Sequence, residues 1–274
     1  MDGFSFSLVA VQETAQDKIA PSGSDFDYYK SIRSESLMIN EADNPSISFK
    51  NSEFHLKMTG YFNGGDISFY GSNTYNNLPY NDFYIFNPLS GVLTLTPRYK
   101  KIKSSGITAN LARNNFVFKL ESAFIQNSAI QRNDVAEQLT ISPVSSPKTW
   151  SEKDIIRSMA GFDYNGISDL FISVEGYLET TTGYQENLLP DRNTGMIYLS
   201  ALYETLNATL DYNINVIYMT NTQDAIIKLK SKYDLSDGVS VECGVIFYEM
   251  TDKKSPYYSY RNNDRFFAGF KYSF

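Results

Sequence analysis

The sequence predicts an all-β fold, namely an antiparallel transmembrane β-barrel of about twelve strands with short periplasmic turns and long extracellular loops. Three observations predict it. Apolar and polar residues alternate with a period of two, the connections alternate between short and long, and the last segment is an aromatic-rich strand ending at Phe274. We expect residues 1–274 to form a single barrel domain, or the C-terminal portion of a larger barrel.

The composition argues against several classes of protein. Aromatic residues make up 15% of the 274 residues, which is unlike an intrinsically disordered chain. No stretch approaches the roughly 18 uninterrupted apolar residues of a membrane helix. A formal net charge of −7 argues against nucleic-acid binding. One Cys and one His leave no disulfide framework or multi-cysteine metal site, so we expect no cofactor, no metal and no enzymatic activity.

Alternation with a period of two is the dominant pattern, and it predicts strands. In the segment 53–62, Phe54, Leu56 and Met58 fall on one face, while His55 and Lys57 fall on the other. Similar runs predict strands at 4–12, 52–62, 66–74, 92–111, 115–127, 153–164, 169–180, 194–205, 208–221, 225–235, 239–250 and 263–274.

The connections between these strands alternate in length. Tight turns are predicted at 63–66, 113–115, 165–168, 206–207 and 235–238. Long polar segments are 13–51, 75–91, 128–152, 181–193 and 251–262, and only the connection near 221–224 breaks the pattern by being short. Short turns on one side and long loops on the other are typical of outer-membrane barrels.

A soluble β-sandwich or jelly roll is the alternative fold, because its strands alternate as well. Three features favour the barrel. Charged residues occupy successive positions on the polar faces, the apolar faces are aromatic at their ends, and nearly all long loops lie on one side.

The final segment, 264–274, carries Phe266, Phe270, Tyr272 and Phe274 on one face of a strand. It resembles the C-terminal β-signal of bacterial outer-membrane proteins, which has a terminal Phe preceded by aromatic and apolar residues at alternate positions. The resemblance implies recognition by the barrel-assembly machinery. With Phe274 at the periplasmic face, every long loop is expected outside.

A broader resemblance rests on three stretches: Arg98-Tyr99-Lys100 leading to Ser105-Gly106-Ile107, then residues 116–124, and then residues 157–164. They resemble the domain-of-unknown-function family 1302, large Gram-negative outer-membrane barrels. The resemblance covers roughly residues 52–274 and implies a link with export of hydrophobic compounds, without catalytic residues. Because family members are longer and no signal peptide opens this chain, we expect an excerpt of a longer protein.

Charged residues on the polar faces are the candidate functional residues, since they are expected to line the lumen. The lumen-lining candidates are His55, Lys57, Lys119, Glu121, Arg157, Asp163, Glu175, Lys228, Lys230, Lys232, Glu242, Arg265 and Lys271. The predicted lumen leans basic, and its charges either select solutes or pair with each other in a barrel without a through-path. The loops 13–51 and 128–152 are long enough to fold inward, and Trp150 is a candidate for the outer aromatic girdle.

Three other features have simple structural interpretations. His55 is expected to be a polar lumen residue, because no Ser stands at a catalytic spacing. Cys243, between Val241 and Val245, is expected to face lipid as a small hydrophobe. The acidic cluster at Asp25 and Asp27 lacks the spaced ligands of a calcium loop, so we expect solvated surface.

The predicted function is an outer-membrane channel or transport conduit for small or hydrophobic solutes. The alternative is a surface binding or adhesion module that presents acidic, Tyr-rich loops on the barrel. The expected location is the bacterial outer membrane, and the expected partners are its lipids, the barrel-assembly machinery and a small solute, with no nucleic acid.

Overall fold

The computed structural model describes residues 3–12, 17, 20–21, 23–27, 37–87, 89, 92–135, 137–138, 147–253, 255 and 257–273. These residues form fifteen β-strands in two sheets and two short 3₁₀ turns, at Phe49–Asn51 and Tyr258–Tyr260. No helix among them is long and apolar enough to cross a membrane.

Twelve strands form one large antiparallel sheet. In spatial order they are β1 (Gly3–Val11), β3 (Glu53–Phe62), β4 (Gly65–Tyr75), β7 (Lys101–Arg113), β8 (Phe116–Gln131), β9 (Trp150–Ile167), β10 (Leu170–Thr181), β11 (Asn193–Thr205), β12 (Leu210–Met219), β13 (Asp224–Ser236), β14 (Val239–Glu249) and β15 (Arg265–Tyr272). Each strand pairs with the one that follows it in this order, so the prediction of an all-β antiparallel fold with about twelve strands is confirmed.

Tight turns join these strands at one end of the sheet, which we call the turn end, and most of the longer connections lie at the other, the loop end. The turns use residues with positive φ: Gly64 at 82°, Asn114 at 53°, Asp169 at 63° and Gly238 at 80°. Gly and Asn tolerate this left-handed conformation better than most residues, so the local sequence specifies where the chain reverses.

The second sheet has three strands and was not predicted. It contains β2 (Leu37–Ile39), β5 (Tyr80–Asn87) and β6 (Val92–Arg98), with β2 parallel to β6. The single strand predicted at 92–111 is wrong, because the chain leaves β6 after Arg98 and starts β7 at Lys101. The predicted loops 13–51 and 75–91 supply β2 and β5.

One face of the large sheet is apolar across all twelve strands. At one edge the strand registers align Phe6 with Met58, then Phe69 and Ile107, and at the other edge they align Val241 with Phe270. Most of these side chains are exposed: Leu56 by 36%, Leu120 by 50% and Phe266 by 69%. No second layer of the described structure covers this apolar face.

The hydrophobic core is correspondingly small. Among the described residues, the buried apolar side chains are Leu95, Ile125, Ile130, Ile155, Leu188, Met219 and Met250. A water-soluble domain of this size would bury most of its apolar side chains in one core. A β-sandwich would do so by packing two apolar faces together, and the large sheet has no such partner among these residues.

Candidate functional site: the polar face of the large sheet

The face opposite the apolar one carries all the lumen-lining candidates. Cross-strand registers place them on it together: His55, Lys57, Lys119, Glu121, Arg157, Asp163, Glu175, Lys228, Lys230, Lys232, Glu242, Arg265 and Lys271. We call this surface the polar face. Alternation along each strand therefore located the polar face correctly, because successive side chains of a strand point to opposite sides.

Lys119 on β8 joins two neighbouring strands. Its Nζ lies 2.7 Å from Asp163 Oδ1 on β9 and 2.5 Å from Glu175 Oε1 on β10. Gly161 stands between Lys119 and Glu175 in the register and has no side chain to block this reach. All three charged side chains are partly exposed, between 21% and 28%, so water reaches them.

Further ion pairs follow around the sheet. Arg157 Nε lies 2.7 Å from Glu179 Oε2, between β9 and β10. Lys232 Nζ lies 2.8 Å from Asp234 Oδ1 and 3.9 Å from Asp211 Oδ2. A looser pair joins Lys230 to Glu242 at 3.5 Å. Several lysines of the polar face are therefore paired within it.

Three of these carboxylates were missed at the level of sequence: Glu179, Asp211 and Asp234. Glu179 lies on the same side of its strand as the predicted residue Glu175, and Asp234 lies on the same side as Lys232. Asp211 faces Lys232 from the next strand. A complete count of alternate positions in the sequence would therefore have found all three carboxylates. Asp66 and Glu204 also lie on this face. With these acids included, cations and carboxylates on the described polar face are close to balanced, and the expected excess of cations is not present.

Two cations contact aromatic side chains, one through the ring and one through a hydroxyl group. Lys228 Nζ lies 5.5 Å from the ring centroid of Phe267. Arg265 donates a hydrogen bond of 2.9 Å from Nη2 to the Tyr248 hydroxyl. Among the ion pairs of the described residues, none includes His55, Lys57, Glu121 or Lys271.

A small apolar cluster covers part of the polar face at the loop end. Ile125 on β8 and Ile155 on β9 pack with Leu188, which is 1% exposed and belongs to the connection 182–192. Leu189 N donates to Gln131 O over 2.8 Å and so holds this connection in place. The connection 182–192 therefore covers part of the polar face, although only the loops 13–51 and 128–152 were considered for inward folding. Phe26 of the first of these loops also lies over the polar face, 4.6 Å from the Arg265 guanidinium, while residues 128–131 continue β8.

A charged pair fixes the loop next to this cluster. Arg132 donates to Asp134 through Nε at 2.9 Å and Nη2 at 2.5 Å, and Gln138 Nε2 donates to the same carboxylate at 3.0 Å. The guanidinium of Arg132, helped by Gln138, holds the pKa of Asp134 below its usual value. The pair therefore favours one loop conformation wherever Asp134 is ionised.

Trp150 anchors the three-stranded sheet to the large one. Its indole Nε1 donates to Asp82 Oδ1 over 2.6 Å, and its ring lies 5.1 Å from that of Tyr80 and 4.8 Å from Lys100 Nζ. Arg98 Nη1 donates to the other Asp82 oxygen over 2.8 Å. The sequence suggested only a place in an aromatic girdle for Trp150.

The apolar face holds the remaining predicted residues. Phe266, Phe270 and Tyr272 share it on β15 and are exposed, while Phe274 lies outside the described residues. Cys243 also lies on this face, between Val241 and Val245, as expected. No group of His, Cys, Asp or Glu side chains suited to a metal ion occurs in the part of the chain that the structure describes.

No protein-family model matches the chain, and no curated protein matches its sequence. The resemblance to the domain-of-unknown-function family 1302 therefore stays a prediction, and the functional argument rests on the two faces of the sheet.

Proposed function

We propose that this chain forms a β-barrel of the Gram-negative outer membrane and acts as a channel or transport conduit. One observation carries the proposal: the large sheet exposes a continuous apolar face and buries few apolar side chains. Exposing such an apolar surface to water is unfavourable by roughly 25 cal/mol per Å², and contact with the hydrocarbon of a lipid bilayer avoids this cost. Membrane lipids are accordingly the first proposed partner.

The polar face supports the conduit. Rows of Lys, Arg, Asp and Glu on neighbouring strands retain access to water, as the partial exposure of Lys119, Asp163 and Glu175 illustrates. Mixed charges on opposite walls of a pore create a transverse field that orients water and sorts solutes by charge. The substrate is therefore a small solute that passes a charged, hydrated wall.

The apolar face of β15 supports assembly in the outer membrane. Phe266, Phe270 and Tyr272 alternate there and are 63–69% exposed, so they are accessible to a recognition partner. The barrel-assembly machinery is the proposed partner of this strand.

Conductance across a planar lipid bilayer tests the channel. Lys228, Lys230 and Lys232 are changed together to Gln, which leaves Asp211, Asp234 and Glu242 without their cations. We expect the reversal potential in a salt gradient to shift towards cation selectivity. The matched control changes the exposed loop residues Lys50, Lys148 and Lys253 to Gln, with the same loss of charge and a much smaller shift. Equal shifts in both variants would contradict a passage along the polar face.

A surface binding module is the second candidate, and the three-stranded sheet favours it. This sheet is separate from the large sheet. Trp150 of β9 bonds to Asp82 of the small sheet, and Arg98 bonds to the same carboxylate within the small sheet, so the small sheet is presented as an ordered unit. Insertion into lipid without any conductance would support this candidate over the channel.

A further inference from the structure

Among the strands that the structure describes, each edge strand of the large sheet has a neighbouring strand on one side only. Within the described residues β1 pairs only with β3, and β15 pairs only with β14. Their side chains are also the most exposed of the apolar face, at 59% for Phe6 and 68% for Phe270 against 36% for Leu56. In hydrocarbon no water is available to bond with unpaired backbone groups, so an open edge is strongly unfavourable there.

The two edges are complementary in direction and in face. Each strand of the sheet is antiparallel to the next, so β1 and β15 also run in opposite directions. Phe6 and Leu8 lie on the apolar face of β1, as Phe270 and Tyr272 do on β15. The apolar side chains of both strands are at even-numbered positions. If the two edges pair, the apolar face is continuous only when an even-numbered residue of β1 lies opposite an even-numbered residue of β15.

The sheet is also staggered in the way that closure requires. A path straight across the paired strands begins at Phe4, at the turn end of β1, and arrives at Glu249, at the loop end of β14. The strands have slipped past one another by about one strand length. A closed sheet needs such a slip because its strands tilt by about 35–45° from the barrel axis, which for twelve strands corresponds to a stagger of about 12–17 residues.

Residues that follow β1 reach the start of β15. The ring of Phe26 lies 4.6 Å from the Arg265 guanidinium and 5.0 Å from the Tyr260 ring. Asn263 Nδ2 donates to the carbonyl of Asp25 over 2.8 Å. Asp27, expected to be solvated surface, is 1% exposed and accepts a hydrogen bond from Gly23 N. This contact lies at the loop end of β15, where a closing seam would begin.

We infer that β1 and β15 of the same chain pair edge to edge and that residues 23–27 latch the loop end of this seam. The registers and the required tilt allow three pairings. Leu8 lies opposite Phe270 at a stagger of about 12 residues or opposite Tyr272 at about 14, and Ala10 lies opposite Tyr272 at about 16. The inference rests on the proposed membrane function, because hydrocarbon is what makes an open edge unfavourable.

Cysteine cross-linking tests the seam. In a Cys243→Ser background, Leu8→Cys is combined with Phe270→Cys or with Tyr272→Cys, and Ala10→Cys is combined with Tyr272→Cys. Each protein is refolded into detergent and treated with a short thiol-to-thiol cross-linker. We expect the highest yield of intramolecular cross-link in one of the three variants, detected as a shifted monomer band on a denaturing gel. The control pairs Leu8→Cys with Lys271→Cys, whose side chain lies on the polar face, and is expected to cross-link far less.

The other possible results of this experiment would each contradict one part of the proposal. A dimer band from inserted protein would mean that the edge pairs with a second copy. No cross-link in any of the three variants, or an equal yield with Lys271→Cys, in protein that inserts and conducts would overturn the seam alone. A chain that stays monomeric in buffer without detergent would overturn the membrane proposal itself.

Discussion

The ring of Tyr70 lies on Gly106 of the neighbouring strand. The two residues face each other in the register of β4 and β7, and a Cβ atom at position 106 would overlap the Tyr70 ring carbon Cζ and hydroxyl. Phe267 covers Gly244 in the same way between β15 and β14. On the polar face, the rings of Tyr70 and Phe267 are therefore packed against glycine backbone.

This packing predicts that Gly106→Ala is destabilising. The new methyl group would displace the Tyr70 ring, and such overpacking typically costs about 1–3 kcal/mol. We expect the compact form of the detergent-refolded protein to unfold at a lower temperature on a gel. Gly176→Ala is the matched control, because its Cβ would be 3.9 Å from the nearest atom. An unchanged unfolding temperature for Gly106→Ala would contradict the contact.

The Lys119 cluster predicts charge-dependent stability. Lys119→Met leaves Asp163 and Glu175 without a shared cation, and like charges at close range repel. We expect a loss of about 1–2 kcal/mol at neutral pH, limited by solvent screening of partly exposed groups. The unfolding temperature of the compact form measures it. Adding Glu175→Gln to Lys119→Met should restore part of the loss, and no recovery would show that the effect is not electrostatic.

The alternation of side chains made much of this structure predictable from the sequence. The alternation of apolar and polar residues alone predicted on which face of the sheet His55 and Lys57 lie. The turns at Gly64 and Gly238 were predicted because glycine accepts a positive φ. These are local properties, since a strand has a fixed period and a tight turn has few compatible residues. The lengths of the strands near those turns were accordingly well predicted.

Contacts between distant segments were not predictable in the same way. The hydrogen bond from Trp150 to Asp82 joins residues 68 positions apart, and Leu188 is buried by residues of three separate segments. Nothing in the composition of 75–91 or 181–193 distinguishes a polar loop from a segment that folds back onto the sheet. Ion pairs between strands were equally hidden, because only the register brings Glu179 to Arg157 and Asp211 to Lys232.

Trp150 predicts how the three-stranded sheet is held. Trp150→Phe keeps a ring against Tyr80 but removes the donor to Asp82, which should cost about 1–3 kcal/mol locally. We expect faster protease cleavage within 80–98 and an unchanged unfolding temperature for the large sheet. Tyr177→Phe, which removes a hydroxyl from the polar face elsewhere, is the control for cleavage in this region. Equal cleavage rates would mean that Trp150 does not anchor the small sheet.

His55 is predicted to be dispensable. It lies on the polar face opposite Ser72 on β4, and no hydrogen bond to a serine occurs at its ring among the described contacts. His55→Ala should leave the unfolding temperature and bilayer conductance nearly unchanged. Loss of both would contradict its placement as an ordinary polar wall residue.

Asp134 predicts a pH-dependent loop. Because Arg132 depresses its pKa in the folded state, Asp134 contributes stability above the unfolded pKa of about 3.9, and that stability is lost as pH falls through the lower folded value. Asp134→Asn should therefore speed hydrogen exchange at the amides of Arg132 and Leu189 at pH 7. The difference from the unchanged protein should shrink steadily in more acidic buffer. Glu186→Gln, an exposed carboxylate of the same region, should have little effect at any pH, and a pH-independent effect of Asp134→Asn would rule out the ionic contribution.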